Sequence, residues 1–495
     1  MPATENQAIV IGAGIAGIAS AIRLAVKGFN VKVYEANPYP GGKLSEIESK
    51  GFRFDAGPSL LTMPHYVDEL FTIAGKNPRD YFQYQRLDSL CNYFYEDGTR
   101  ITAWADSDKF AEEIASKTSD NSVSVTSFLK KSARIYTITN HVFLEKSLHQ
   151  LRTYLNADTL KSILQITEID ALRSMNSANE SFFRDSKTVQ LFNRYATYNG
   201  SDPYKAPATL NVIPHLEYHY GAYFPKGGMY SITTGLVQLA KDCGVQFFFN
   251  SAVDEIVVEN KGVQAVKVNG VVEKVSVIVS NMDVWFTYKK LLPAQQAPQH
   301  TLSQERSSSA LIFYWGINGE FPELDLHNIF FSNNYHEEFD AIWQRDSISN
   351  DPTVYINISS IYKSDDAPSG CQNWFVMINV PANRGQDWDE MIRIAKDNIL
   401  QKLERILKRE IESLILCETI LDPRTIESKT SSYQGSLYGT SSNNRFAAFL
   451  RHPNFSSKIK GLYFAGGSVH PGGGIPLALL SAKIVGDLVE KQRPC

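Results

Sequence analysis

The first 35 residues contain two short apolar runs on either side of an amphipathic segment. Ala8–Ile11 is uniformly apolar and predicts a buried parallel strand. Apolar residues recur with helical spacing over Ile15–Val26, and Gly28 ends that helix. Val31–Tyr34 (VKVY), in which apolar residues flank one lysine, is the second run and is followed at once by an acid, Glu35. The pattern predicts a strand, a helix and a second strand, the unit from which parallel sheets are built.

Later segments add further strands and one helix. Thr353–Ser359 (TVYINIS) and Trp374–Val380 (WFVMINV) alternate between apolar and polar residues, as half-buried strands do. Gly461–Gly467 predicts a strand that runs into a glycine turn, with a helix over Leu477–Val489. By contrast, Thr118–Ser127 is mostly small and polar, and this composition predicts a loop.

One leucine-rich segment allows two interpretations. Its leucines recur at helical spacing and form a single apolar stripe, while basic residues lie off it. Such a helix commonly packs on the protein's own core, but a basic-faced one can also lie at a bilayer surface. The pattern leaves both open for the leucines Leu144, Leu148, Leu151 and Leu155 and the basic residues Lys146, Arg152 and Lys161.

The glycines between the first strand and helix provide the first candidate chemistry. In Gly12-Ala13-Gly14-Ile15-Ala16-Gly17, Gly12 permits a tight turn and Gly14 lets the backbone approach a pyrophosphate. Gly17 allows the helix and strand to pack closely. The helix start offers N–H groups to phosphates, and Glu35 stands where an acid accepts hydrogen bonds from ribose hydroxyls. These features predict a dinucleotide site that includes Ile15 and Ala16.

A second glycine pair distinguishes between dinucleotides. Pro40-Gly41-Gly42-Lys43 follows Glu35 closely, and Phe54–Ser59 (FDAGPS) lies a little further on. Paired glycines before a basic residue can bring backbone amides and one cation to a second phosphate. Ordinary NAD dehydrogenases do not need such a loop, whereas a buried flavin must be held along its length. The loops therefore favour FAD, with Gly42, Lys43, Pro58 and Ser59 at the site.

The C-terminal glycine run is expected to complete this site. Ser468–Pro476 (SVHPGGGIP) keeps the backbone bare at a helix start and has proline in the first turn. Such a start can direct N–H groups at a flavin and stabilise the negative charge of its reduced form. We expect Gly467, Gly474, Ile475 and Pro476 to contribute. His470 is a candidate catalytic group, although a turn histidine before proline more often has a structural role.

Length, charge and cysteine content narrow the class of protein. A chain of 495 residues is too long for one compact core, so two or more lobes are expected. A net charge of −4 argues against nucleic acid as a partner. Five scattered cysteines indicate a reducing compartment and no metal site. No apolar run reaches the roughly 18 residues of a spanning helix, and no signal peptide is expected before the first strand.

In order along nearly the whole chain, these motifs resemble the FAD-dependent carotenoid desaturases, the bacterial phytoene desaturase family, within the wider amine-oxidase-like flavoproteins. The segment Val10–Ser59 is shared with many flavoproteins. More specific matches are Arg194–Pro207 (RYATYNGSDPYKAP), Tyr223–Met229 (YFPKGGM), His327–Phe331 (HNIFF) and Gly461–Lys483. Within the family, overall likeness is greatest to the hydroxycarotenoid 3,4-desaturases.

The resemblance implies an α/β fold with a discontinuous, Rossmann-like FAD-binding lobe and a mixed sheet-plus-helical substrate lobe. The FAD-binding lobe would comprise residues 1–75, 225–290 and 425–495, and the substrate lobe residues 76–224 and 291–424. Residues 105–215 would form a helical part of the substrate lobe that could associate with a membrane. By similarity, Val253 would touch the adenine end of FAD, and Asn281 and Met282 would follow a strand that returns to the FAD-binding lobe.

The implied reaction removes a hydride and a proton from a C40 carotenoid, with flavin N5 as the hydride acceptor. Asp158 resembles an acidic site in related desaturases and would take the proton, with Lys161 one turn away; an ordinary surface ion pair is the alternative. A membrane-resident substrate implies a cytoplasmic protein peripherally associated with a membrane. Oxygen and a quinone are both open as the electron acceptor. The alternative functions are a phytoene desaturase, an amine or porphyrinogen oxidase, and a non-enzymatic carotenoid carrier.

Overall fold

The structure is a computed structural model that describes residues 6–140, 146–150, 153, 165–444 and 447–489. The described strands are β1 Gln7–Ile11, β2 Asn30–Tyr34, β3 Glu46–Ser49, β4 Phe52–Asp55, β5 Leu61–Thr62, β6 Tyr84–Arg86, β7 Ser89–Phe94, β8 Arg100–Trp104, β9 Ala222–Pro225, β10 Gln246–Phe248, β11 Val253–Glu259, β12 Gly262–Val268, β13 Val271–Lys274, β14 Val277–Ser280, β15 Ser309–Asn318, β16 His327–Phe330, β17 Val354–Asn357, β18 Cys371–Val380, β19 Ile415–Leu421 and β20 Leu462–Phe464.

The described α-helices alternate with these strands in the N-terminal part and cluster between β8 and β9. They are α1 Ile15–Val26, α2 His65–Ile73, α3 Ser107–Lys117, α4 Ser122–Thr139, α5 Met175–Glu180, α6 Ser186–Asn193, α7 Ile213–Tyr218, α8 Tyr230–Asp242, α9 Val284–Phe286, α10 Gln299–Leu302, α11 Tyr335–Gln344, α12 Trp388–Leu407, α13 Pro423–Thr430, α14 Ala447–Leu450 and α15 Ile475–Leu488.

A parallel five-stranded sheet in the order β10-β2-β1-β14-β20 contains the predicted N-terminal strands. Val10 pairs with Val33 on one side and Val279 on the other. Helices α1, α8 and α15 contribute to the same core as these valines. Burial on both faces explains why most residues of these strands are apolar, and the predicted β1, α1 and β2 are confirmed. The five strands fall within residues 1–75, 225–290 and 425–495, although the lobe boundaries stay a prediction.

A seven-stranded mixed sheet forms a second layer, in the order β19-β15-β18-β17-β16-β7-β8. Both alternating segments predicted as strands lie in it, as β17 and β18. Successive residues of a strand point to opposite faces, so β18 has two distinct sides. Val376 and Ile378 share one core with Leu403 of α12, whereas Phe375 and Met377 contribute to another cluster. One face of the sheet is therefore covered by α12, and the other is available to a site.

In the helical part between β8 and β9, the structure corrects the prediction of a loop. It describes only one leucine of the predicted apolar stripe. Helix α4 begins within the segment predicted as a loop, because the Asn121 side chain accepts a hydrogen bond from Ser124 N at 2.9 Å and so caps the helix. Phe128 of α4 is buried in a hydrophobic core that it shares with residues of neighbouring elements. Of the stripe leucines, only Leu148 lies within the described residues; it sits in a turn and is 5% exposed. None of the described helices is long and apolar enough to cross a membrane.

Candidate functional site

A cavity of about 680 Å³ extends from the glycine turn after β1 to one face of the seven-stranded sheet. Every residue predicted to bind the cofactor lines this cavity, with the exception of Gly17. The lining members are Gly12, Gly14, Ile15, Ala16, Glu35, Gly42, Lys43, Pro58, Ser59, Val253, Asn281, Met282, Gly467, Gly474, Ile475 and Pro476. The fold thus brings residues from the N-terminal, middle and C-terminal parts of the chain to one site.

Close packing explains two of the glycines. A Cβ atom on Gly17 would lie 2.1 Å from the Gly12 carbonyl oxygen, so α1 can lie against the turn only if this residue has no side chain. A Cβ atom on Gly14 would lie 2.5 Å from Asn281 Oδ1. The Asn281 amide is held by its own hydrogen bond to the Ala465 carbonyl oxygen, at 2.9 Å. Asn281 therefore covers the glycine turn, a packing role that the sequence pattern did not reveal.

Glu35 is buried at the end of β2 and binds the same turn. Its Oε2 accepts a hydrogen bond from Ala13 N at 2.7 Å, and its Oε1 accepts two from the backbone and side-chain nitrogens of Asn37, both at 2.8 Å. An ionised carboxylate has about four acceptor positions. Three are occupied, and one remains for a donor in the cavity. This capacity fits a ribose hydroxyl of a dinucleotide.

The first turn of α15 forms another part of the cavity wall. Gly474 has φ of +100°, a conformation that favours glycine, and no atom lies within 4 Å of the position of a Cβ there. Gly474, Ile475, Pro476 and Ala478 all line the cavity. Since the N–H groups of a first helical turn lack partners within the helix, this wall can accommodate an electron-rich group of a ligand.

Lys43 is the cation of the second loop. Its Nζ donates hydrogen bonds to the carbonyl oxygens of Ser436 at 3.0 Å and Leu437 at 2.7 Å, and so ties residues 40–43 to a distant segment. Burial lowers the pKa of Lys43 to about 8, although Asp283 opposes the shift. An ammonium group has three hydrogens, so one donor is left for a ligand oxygen. The sequence did not predict that Lys43 contacts Ser436 and Leu437. The acceptors are backbone carbonyl oxygens, which every residue has, so no residue type marks them.

The far wall of the cavity is the uncovered face of the seven-stranded sheet. Its residues follow the period of two expected for one strand face, and most of them are apolar. They are Ala310 and Ile312 of β15, Phe375, Met377 and Asn379 of β18, Tyr355 of β17, and His327 and Ile329 of β16. This wall was not predicted, because it combines strands that are far apart in sequence.

Polar side chains line the cavity on and beside this apolar wall. Tyr355 OH lies 2.7 Å from both His327 Nδ1 and Ser59 Oγ, and so connects the sheet to the loop that contains Ser59. Arg194 also lines the cavity, but its charge is compensated by Glu217, whose Oε2 lies 3.5 Å from Arg194 Nη2. The Arg194 guanidinium further donates to the hydroxyl groups of Tyr93 (2.7 Å) and Tyr198 (3.2 Å).

Of the catalytic candidates from the sequence, the structure describes only His470. Asp158 and Lys161 are outside the described residues, and their assignment stays a prediction. His470 is buried, its Nε2 is hydrogen-bonded to the Lys146 carbonyl oxygen at 2.9 Å, and it does not line the cavity. Burial lowers the pKa of His470 to about 3. A histidine with this pKa is neutral at physiological pH, and its position indicates a structural role.

Comparison with known proteins covers nearly the whole chain. Residues 15–489 match the family described as flavin containing amine oxidoreductase. The chain is 50% identical over 484 residues to a 1-hydroxycarotenoid 3,4-desaturase of Flavobacterium sp. (strain P99-3), covering 98% of this chain and 99% of that protein. It is 35% identical over 498 residues to a 4,4'-diapolycopene oxygenase of Methylomonas sp., covering 99% of each.

A solved structure supports the fold. An oxidoreductase from Methanosarcina mazei superposes with a TM-score of 0.63, covering 97% of this chain and 100% of that one, at 14% identity. Such low identity carries information on the fold alone. The overall α/β fold is therefore shared with a protein of known structure.

Proposed function

The chain belongs to the flavin-containing amine oxidoreductase family, and we propose that it is an FAD-dependent carotenoid desaturase. The observation that carries this proposal is that one cavity is lined both by the residues predicted to bind a dinucleotide and by an apolar face of the seven-stranded sheet. The relative at 50% identity is named for 3,4-desaturation of 1-hydroxycarotenoids, and the two proteins match over nearly their full lengths. We therefore propose a 1-hydroxylated C40 polyene as the substrate and its 3,4 bond as the reacting bond.

The cofactor is FAD, and the residues of one half of the cavity fit it. Glu35 would accept a hydrogen bond from the ribose, and the turn between Gly12 and Gly17 would face the pyrophosphate. Lys43 and the first turn of α15 would contact electron-rich groups further along the cofactor. When bound, the flavin supplies the acceptor for the hydride that leaves the substrate.

The chain's own residues position the polyene and keep water away from it. Ile312, Phe375 and Met377 present apolar side chains to the cavity, and apolar contact is favourable for a hydrocarbon because it removes surface from water. We propose Asp158 as the proton acceptor, with Lys161 as its neighbour, on the basis of the resemblance alone. Oxygen or a quinone would then take the electrons from the reduced cofactor.

A cysteine in the wall makes the mode of cofactor attachment testable. Of the cysteines that the structure describes, Cys91 lines the cavity. Burial raises the pKa of Cys91 to about 12, so its thiol stays protonated and is a poor nucleophile. We expect non-covalent FAD: acid precipitation of the purified protein should release a yellow chromophore into the supernatant, from wild type and Cys91→Ser alike. Flavin that stays in the wild-type pellet would contradict this.

The substrate also implies a place of action. A C40 polyene is almost insoluble in water, so the protein would collect it from a bilayer as a peripheral, cytoplasmic enzyme. Within the helical part of residues 105–215, Leu172 is 81% exposed and Arg173 follows it. An exposed apolar side chain next to a basic one suits the interface of a bilayer. This supports the helical part as the membrane-facing surface.

The function can be tested in a pigment-free host that expresses the protein and is supplied separately with phytoene, lycopene and 1-hydroxylated carotenoids. We expect a red-shifted absorption spectrum with the hydroxylated substrate, since each new double bond extends the conjugation. A shift with phytoene would instead indicate a phytoene desaturase, and a product with one more oxygen atom than the supplied carotenoid would indicate an oxygenase. Unchanged pigments throughout, compared with a host that carries an empty vector, would contradict the proposed function.

A further inference from the structure

His327 has one ring nitrogen whose hydrogen-bonding role is fixed by its neighbours. Asn357 Nδ2 donates to the Leu326 carbonyl oxygen at 2.9 Å, which identifies it as the amide nitrogen, and it lies 3.3 Å from His327 Nδ1. Tyr355 OH lies 2.7 Å from the same Nδ1. Because an amide nitrogen only donates, Nδ1 of His327 is the acceptor of the ring.

The other ring nitrogen is then a donor that lacks an acceptor. Burial, assisted by the charge of Arg194, lowers the pKa of His327 to about 3, so the ring is neutral. A neutral imidazole carries one hydrogen, and with Nδ1 accepting, this hydrogen is on Nε2. Within the described part of the chain, Nε2 is buried and has no hydrogen-bond partner. A buried donor without an acceptor is unfavourable, and His327 lines the cavity.

The surroundings restrict what the acceptor can be. Ile329 of the same strand face is apolar, and the nearby guanidinium of Arg194 is compensated by Glu217. Among the described lining residues around His327, none carries an uncompensated positive charge that would favour binding of a carboxylate or a phosphate. The fitting partner is a neutral oxygen carried by an otherwise apolar molecule. Ser59 Oγ lies 2.7 Å from Tyr355 OH, which is in turn bound to His327. The polar group formed by these three residues therefore lies where the FAD half of the cavity meets the seven-stranded sheet.

We infer that His327 determines specificity by donating a hydrogen bond from Nε2 to the hydroxyl oxygen of a hydroxylated polyene. The inference rests on the proposed function and refines its substrate class. In a 1-hydroxylated chain that reacts at its 3,4 bond, a single carbon separates the hydroxyl-bearing carbon from the bond that is desaturated. The hydroxyl group must therefore lie close to the reaction point, and the junction formed by Ser59, Tyr355 and His327, between the residues that would hold FAD and the apolar sheet face, would be that position.

The test uses the FAD-loaded enzyme and two polyenes that differ only in the 1-hydroxyl group. The readout is the ratio of their dissociation constants, measured from the change in flavin absorbance. In His327→Asn the shorter amide can still serve Tyr355, but it cannot reach the position of Nε2, so preference for the hydroxylated polyene should fall about tenfold. In His327→Gln the longer amide can reach that position, and most of the preference should remain.

Two further variants keep the outcome interpretable. His327→Leu also removes the donor and replaces the asparagine variant if that variant does not fold. His452→Asn is the matched control, because His452 is likewise buried, with a pKa lowered to about 4 by burial, but does not line the cavity. It should leave the ratio unchanged.

The possible failures are distinguishable. A folded His327→Asn or His327→Leu enzyme with the wild-type ratio overturns the role of His327 and leaves the proposed function standing. Loss of FAD from these variants, with normal thermal stability, also overturns it, since His327 would then contact the cofactor. A wild-type enzyme that holds FAD but binds neither polyene overturns the proposed function and this inference together.

Discussion

At the end of β2, the Glu35 carboxylate accepts hydrogen bonds from Ala13 N and from both nitrogens of Asn37. These contacts hold the glycine turn in the conformation that a dinucleotide needs, while one acceptor position remains for the ribose. We propose that the acid acts on the cofactor in two ways, directly through the ribose and indirectly through the turn. Its position immediately after the strand is the reason that the sequence alone predicted it.

Glu35→Gln should weaken FAD binding. An amide in this position presents an NH2 group to nitrogens that already donate, and it also accepts more weakly from a ribose hydroxyl. We expect a loss of about 1.5–3 kcal/mol in binding free energy, from the strength of hydrogen bonds to charged groups, measured by titration of the apoprotein with FAD. Glu112→Gln, on an exposed face of α3, is the control. Equal affinity of both variants for FAD would show that Glu35 serves the fold alone.

At the scale of elements, the sequence was informative where neighbours in the chain are also neighbours in space. The strand, glycine turn, helix and second strand occupy consecutive residues, and their bounds match the predicted ones closely. The start of α4 was missed because its small polar residues suggest a loop, while the deciding interaction is a single cap from Asn121. The cavity wall was missed because His327 and Tyr355 lie on different strands and become neighbours only through sheet pairing.

Asn121→Ala should destabilise α4. The substitution removes the side-chain oxygen that accepts from Ser124 N, and loss of such a cap costs about 0.5–2 kcal/mol of stability. Urea unfolding should show a lower free energy of unfolding. Asn121→Asp keeps the acceptor and should behave as wild type. FAD content should stay unchanged in both, because α4 does not line the cavity. A fully stable alanine variant would mean that burial of Val125 and Phe128 alone holds this helix.

At the scale of the whole molecule, the site depends on long-range assembly. The five-stranded sheet joins β1 and β2 to β14 and β20 from distant parts of the chain, and only the resemblance to a known family predicted this arrangement. The local pattern of any one segment does not specify its partners, because several apolar runs of similar length could pair in parallel. The same assembly places Asn281, after β14, against the glycine turn after β1.

The last prediction concerns the surface that we propose to meet a membrane. If the helical part collects substrate from a bilayer, a charge at the most exposed of its described apolar residues should weaken liposome binding. Leu172 is 81% exposed, so Leu172→Asp should fold and hold FAD normally. Val271→Asp is the matched control, because Val271 is 68% exposed but lies in the separate sheet formed by β11, β12 and β13.

Liposome flotation and thermal melts separate the possible outcomes. Leu172→Asp should float less than Val271→Asp at equal thermal stability, since a charge at an interface opposes insertion of the apolar surface. Leu148→Asp should instead melt early, because Leu148 is 5% exposed and a buried charge without a partner is costly. This would assign Leu148 to packing, whichever surface meets the bilayer. Equal flotation of the leucine and valine variants would exclude Leu172 from the membrane surface and move the search to another face of the molecule.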